Sequence, residues 1–116
     1  MSIAGGLEKA LERGDKIDCR TIQIFTKNNN QWKARKITDE DLQRFHSLFN
    51  KSRISPVIAH DSYLINLASP DPELHRKSME SFFEEMERCE KLKIPYLVFH
   101  PGAHRGSGEK TALKKI

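Results

Sequence analysis

The chain has 116 residues, 31% of them charged, with a formal net charge of +4 and a sequence pI near 9.2. That length suits one modest domain, and clustering of the apolar residues argues against disorder. The basic balance permits a polyanionic partner without requiring one, and no apolar run approaches the roughly 20 residues that span a bilayer. The start of the chain carries no basic-then-apolar signal segment, so the expectation is a soluble, cytoplasmic protein.

In chain order, "GGLEKALERGDK" places Leu7, Ala10 and Leu11 at helical spacing, with Gly14 near the expected helix end. "TIQIFT" follows as a β-branched and aromatic strand, then the polar loop "KNNNQWKARK". Thr38 opens "TDED" as an N-cap with an acid three residues on. Leu42, Phe45, Leu48 and Phe49 then share one helical face. "SPVIA" is the second strand, with Pro56 tolerable at its first position.

In "SPDPE", Asp71 suits an N-cap before Pro72, and Met79, Phe82, Phe83, Met86 and Leu92 give the next helix an apolar stripe. "PYLVFH" is the third strand, and "GSGEKTALKKI" enters a last helix. One helix between successive strands is the crossover spacing of parallel βαβ units. The carboxyl ends of such strands lie on one side of the sheet, where ligand sites gather. The fold class is therefore α/β, with about three parallel strands and alternating helices. Residues 1–116 read as one unit without an internal boundary. Three strands with both edges open leave backbone unpaired, so the expectation is a portion of a larger fold.

Two strands end on histidine. His60 breaks the apolar run in "VIAHDSYLIN", and His100 ends the run in "YLVFHPGAH". Neighbouring strands lie about 4.8 Å apart, so two imidazoles at equivalent strand ends can reach one cation. A catalytic zinc takes about three protein ligands plus water, leaving Asp61 and His104 as local candidates, with Asp61 better suited to supporting an imidazole. His46 and His75 lie on charged helix faces and receive no role. "GSGEKT" places Glu109 where a phosphate loop needs glycine, which argues against a nucleotide cofactor. Lys27, Lys33, Arg35 and Lys36 surround Trp32 in the first loop, a composition that can hold phosphates beside a stacking ring. Cys19 and Cys89 have no metal or redox spacing and read as reduced thiols.

"SIAGGLEKA", "IQIFTKNNNQW", "HDSYLINLASPDPELHRKS" and "FHPGAHRGSGE" together resemble the amino-terminal part of the endonuclease IV family of apurinic/apyrimidinic (AP) endonucleases. The resemblance implies a partial (β/α)8 TIM barrel whose first strand and later units are missing from these residues. It also implies DNA repair: a zinc-dependent hydrolase cutting the phosphodiester 5′ to an abasic site and trimming blocked 3′ ends in base excision repair. Three zinc ions serve the complete family enzyme, a monomer acting on double-stranded DNA, and at most a partial site is expected here. By the same resemblance His60 and His100 are zinc ligands, Asp61 supports them, and Tyr63 and Leu64 enter the minor groove. Gln31 matches a DNA-facing loop position, with Trp32 beside it. Asn30 stands where an arginine often reaches the DNA. No complete catalytic set is expected in these residues. The alternatives are another metal-dependent barrel, such as a sugar isomerase relative, and a non-enzymatic remnant with weak metal or DNA binding.

Overall fold

The computed structural model describes residues 1–116 and alternates helix and strand throughout. Helix α1 (Glu8–Lys16) leads to strand β1 (Ile22–Phe25), helix α2 (Asp39–Lys51) and strand β2 (Val57–His60). Helix α3 (Pro72–Leu92), strand β3 (Tyr96–Val98) and the short α4 (Glu109–Leu113) complete the chain. The three strands form one parallel sheet in the order β1-β2-β3. The predicted α/β alternation is present, as an open sheet.

Period-two burial aligns the sheet. Ile22 and Ile24 of β1 are buried while Gln23 between them is exposed, and Val57 and Ala59 of β2 are buried beside them. Leu11 of α1, Phe45 of α2, Ile54 and Leu92 of α3 close the same core. Gly14 lies in the last turn of α1, near the helix end as expected. A methyl group there would stand 2.6 Å from Ile54 Cδ1 and 3.0 Å from Ile22 Cγ2, so only glycine allows the helix this close. The left-handed residue after α1 is Asp18, at φ 57.

Helix α2 begins with the predicted reciprocal cap. Thr38 Oγ1 accepts from the Asp41 amide at 3.1 Å, and Asp41 Oδ2 accepts from the Thr38 amide at 2.9 Å. Asp41 also pairs with Arg35 at 3.1 Å and Arg44 at 2.8 Å. The Thr38 amide bond, aided by Arg35 and opposed by burial, holds the Asp41 carboxyl at about 2. Helix α3 is capped by Asp71, whose Oδ1 accepts from the Glu73 amide at 2.9 Å.

The apolar stripe of α3 departs from expectation. The buried face of that helix is Ser78, Ser81, Glu85, Arg88, Cys89 and Leu92, while Phe83 and Met86 are exposed. The reason is position. The polar part of α3 covers the carboxyl ends of β1 and β2, where loop backbone needs partners. Of the expected apolar stripe only Leu92 enters the core, while Phe82 meets Phe99 at 5.1 Å beyond β3, whose Tyr96 and Val98 are exposed. No helix is long and apolar enough to cross a membrane.

Replacing Gly14 with Ala is expected to lower stability by about 1–3 kcal/mol, the cost of overpacking a filled core; denaturant unfolding measures it. Because the folded Asp41 carboxyl titrates below its unfolded value, its stabilising contribution is complete above about pH 4. That contribution is lost as pH falls toward about 2. Asp41→Asn should therefore flatten the acid side of the stability profile between those values.

Candidate functional site

His60 is the last residue of β2 and lies opposite Val98 in the register. The Asp61 amide donates to Val98 O at 3.0 Å, closing the ladder between the two strands. His100 is thus not the register partner of His60. It sits two residues beyond the end of β3, and the chain there brings the two imidazole centroids to 5.1 Å. His60 is buried and His100 exposed. His60 Nδ1 lies 2.8 Å from the Asp61 carbonyl oxygen, which suits a donated proton on that nitrogen and leaves Nε2 as the free lone pair.

Asp61 is buried, at 2% exposed, with Oδ1 3.5 Å from His60 Nδ1 and Oδ2 lacking any hydrogen-bond partner. Burial pushes its carboxyl up to about 6; His60 opposes that shift and Glu85 adds to it. No three His, Cys, Asp or Glu side chains converge anywhere in the chain in a metal-holding group. His104 in particular is turned to its own loop, its Nδ1 accepting from the Gly106 amide at 3.1 Å.

Tyr63 is 65% exposed, although its ring packs edge-on against Phe25 at 5.3 Å and lies 5.7 Å from His60. Leu64 beside it is half-buried. The aromatic group Phe25, His60 and Tyr63 fixes the base of an outward-pointing phenol at the carboxyl end of the sheet. Across from it, the first loop leaves Asn30 and Gln31 exposed and Trp32 half-buried. A cleft of about 500 Å³ runs beneath that loop, lined by Gln31, Lys33, Arg35 and Arg44.

Lys27 corrects the reading of the basic loop. It is 4% exposed, and its ammonium donates to Trp32 O and Ser81 Oγ, each at 3.0 Å, with Glu84 at 3.6 Å. It is a structural cation that holds the loop down, which leaves Lys33, Arg35 and Lys36 as the exposed charges.

Sequence reasoning passed over a group that organises this end of the fold. Glu85 of α3, 1% exposed, accepts from Thr26 Oγ1 at 2.9 Å and from the Ser62 amide at 3.0 Å. Burial raises its carboxyl pKa, and Thr26, Lys27, Ser62 and Arg88 counter that rise. Arg88 donates to Thr26 O, to Thr26 Oγ1 at 3.2 Å and to Arg35 O at 2.8 Å. The only sequence signal for either residue is charge on what periodicity makes a helix's wet face.

Asn66 ties the two histidine segments together. Its side-chain amide donates to Ala103 O at 3.1 Å, and its Oδ1 accepts from the Ala103 amide at 3.0 Å. Gly102 makes this possible: it has φ +108, and a Cβ there would fall 2.0 Å from Asn66 Oδ1. Both thiols are free, and burial raises that of Cys89 to about 11.

Residues 11–116 match the xylose isomerase-like TIM-barrel family. The whole chain is 49% identical to a probable endonuclease 4 from Chloroflexus aggregans and 47% identical to one from Geobacter sulfurreducens. The crystal structure of endonuclease IV from Thermus thermophilus superposes on 99% of the chain with a TM-score of 0.87, at 30% identity. The chain belongs to the endonuclease IV family. It spans about two-fifths of its relatives: 41% of the Chloroflexus protein, 39% of the Geobacter protein and 42% of the Thermus chain. The open three-stranded sheet is accordingly part of a TIM barrel, with His60, Tyr63 and His100 at its carboxyl end.

Gly102→Ala should detach the segment carrying His100 from Asn66. The expected result is a rise in amide exchange at Ala103, with the sheet amides of β1 and β2 unchanged, read by hydrogen exchange.

Proposed function

We propose that the chain forms one wall of the active site of a zinc-dependent AP endonuclease, acting in DNA repair on the phosphodiester 5′ to an abasic site and on blocked 3′ ends. The observation that carries this reading is the pair of imidazoles, 5.1 Å apart at the carboxyl ends of adjacent strands, with an exposed tyrosine next to them. The 47–49% identity to proteins called endonuclease 4 favours it over an isomerase acting on small sugars.

The donor set fits zinc. Engagement of His60 Nδ1 by a carbonyl selects Nε2 as the coordinating atom, a common second contact of metal-bound histidine. His60 and His100 would hold the ion, and the Asp61 carbonyl and carboxylate would steady the His60 ring. When bound, zinc supplies Lewis-acid charge that acidifies water and offsets charge on phosphate oxygens. Tyr63 and Leu64 would enter the minor groove at the lesion, an apolar wedge that opens the stack where a base is already missing. Gln31 and Asn30 would face the duplex from the first loop beside Trp32, while Lys33, Arg35 and Lys36 supply phosphate contacts and salt dependence.

Two imidazoles are fewer than the three protein ligands of a catalytic zinc. The 116 residues alone are therefore expected to bind zinc or cobalt weakly, with the binding lost in both His60→Ala and His100→Ala. Calorimetric and absorption titration with the metal alone measures this; unchanged binding in either variant rejects the assignment. Incubated with zinc and an abasic duplex, the same residues should show no incision above background, and efficient 5′ cutting would show that the two-ligand account is wrong.

A further inference from the structure

We infer that Glu85 is a positioning residue that couples the two loops facing the substrate, so that they move as one unit. The inference rests on the reading of those loops as DNA-facing, and deepens it. One carboxylate holds both loops. Its Oε2 accepts from Thr26, the first residue after β1, and its Oε1 accepts from the Ser62 amide, two residues after β2. Thr26 begins the segment that carries Asn30, Gln31 and Trp32, and Ser62 immediately precedes Tyr63 and Leu64.

The link is closed by a direct bond between the loops. Ser62 Oγ donates to Asn29 O at 2.8 Å and accepts from the Leu64 amide at 3.3 Å. The three-residue step along α3 places Arg88 beneath the same loop, where it binds the carbonyls of Thr26 and Arg35 at the two ends of the segment. Glu85, Ser62 and Thr26 are each 2% exposed or less, so no water competes for these contacts. The spacing between the tyrosine wedge and the Gln31 side is thus set from the helix behind them. None of these three residues touches a substrate; they act through Tyr63, Leu64 and Gln31.

Hydrogen exchange on Glu85→Ala is the test, with Glu85→Gln as the rescue that keeps the shape: its oxygen still accepts from the Ser62 amide, and its NH2 donates to Thr26 Oγ1 in the reversed sense. Glu85→Ala should lower protection at Ser62, Leu64 and Gln31 together, by roughly tenfold or more, the factor for losing a hydrogen bond to a charged acceptor. Amides of α2 should keep theirs, and Glu85→Gln should restore most of the loss in both loops. Loss confined to one loop overturns the coupling. Should Glu85→Ala fail to fold, Ser62→Ala decides instead. It cuts the Asn29 bond and the Leu64 amide bond and leaves the Glu85 contacts, so the readout is Gln31, which makes no bond to Ser62: its amide should lose protection, and unchanged protection there rejects the proposal. Binding to an abasic and an intact duplex, read by anisotropy, gives the functional arm. The abasic preference should fall toward one in Glu85→Ala and recover in Glu85→Gln; a preference retained in Glu85→Ala overturns the positioning role. A wild-type chain without that preference would count against the DNA reading, while the exchange result would still decide the coupling.

Discussion

Burial of Glu85 and Arg88 beneath the carboxyl end of the sheet is the constraint on which the rest of this structure depends. A carboxylate and a guanidinium removed from water must find full sets of partners, or the cost is several kcal/mol for each charge. Here the partners are loop groups: a threonine hydroxyl, a serine amide and the carbonyls of Thr26 and Arg35. The helix turns polar residues inward for that reason. Irregular segments that would otherwise sample many conformations are held to one, and the side chains they carry acquire defined positions.

The same choice explains where the apolar residues of α3 went. With serines, Glu85 and Arg88 facing in, Phe83 and Met86 are left exposed and Phe82 packs on Phe99 just beyond β3. Tyr96, Val98 and Phe99 lie exposed on this open side of the sheet. In the relatives, the aligned part is about two-fifths of a longer chain, a proportion that suits a unit built to adjoin further strands. The core between α1, α2 and the sheet is independent of that open side. Phe45, Leu11 and Ile54 are fully enclosed within it.

At the site itself, small backbone decisions carry chemical weight. The Asp61 carbonyl selects which nitrogen of His60 is left free. Gly102 lets Asn66 clasp the segment after His100, so the motif around one histidine holds the motif around the other. Lys27, which composition places among phosphate-binding cations, is instead committed to the Trp32 carbonyl and Ser81.

Much of this was legible in the residues alone. Strand and helix order followed from period-two and 3.6-residue patterns, the Thr38 and Asp71 caps from local hydrogen-bond chemistry, and the placing of β2 beside β3 from parallel crossover spacing, although His100 lies two residues past the register partner of His60. Those features depend on contacts within a few residues or on a repeat, and a linear pattern records both. The face α3 buries could not be read that way, because periodicity assumes that apolar residues point inward. Which way Glu85, Arg88 and Lys27 turn depends on loop groups far along the chain; for Arg88 they are carbonyls 53 and 62 positions away. The elements, their parallel order and the family are written in the order of the residues; which charges are buried to hold the loops emerges only on folding, since that depends on which backbone groups the fold leaves without partners.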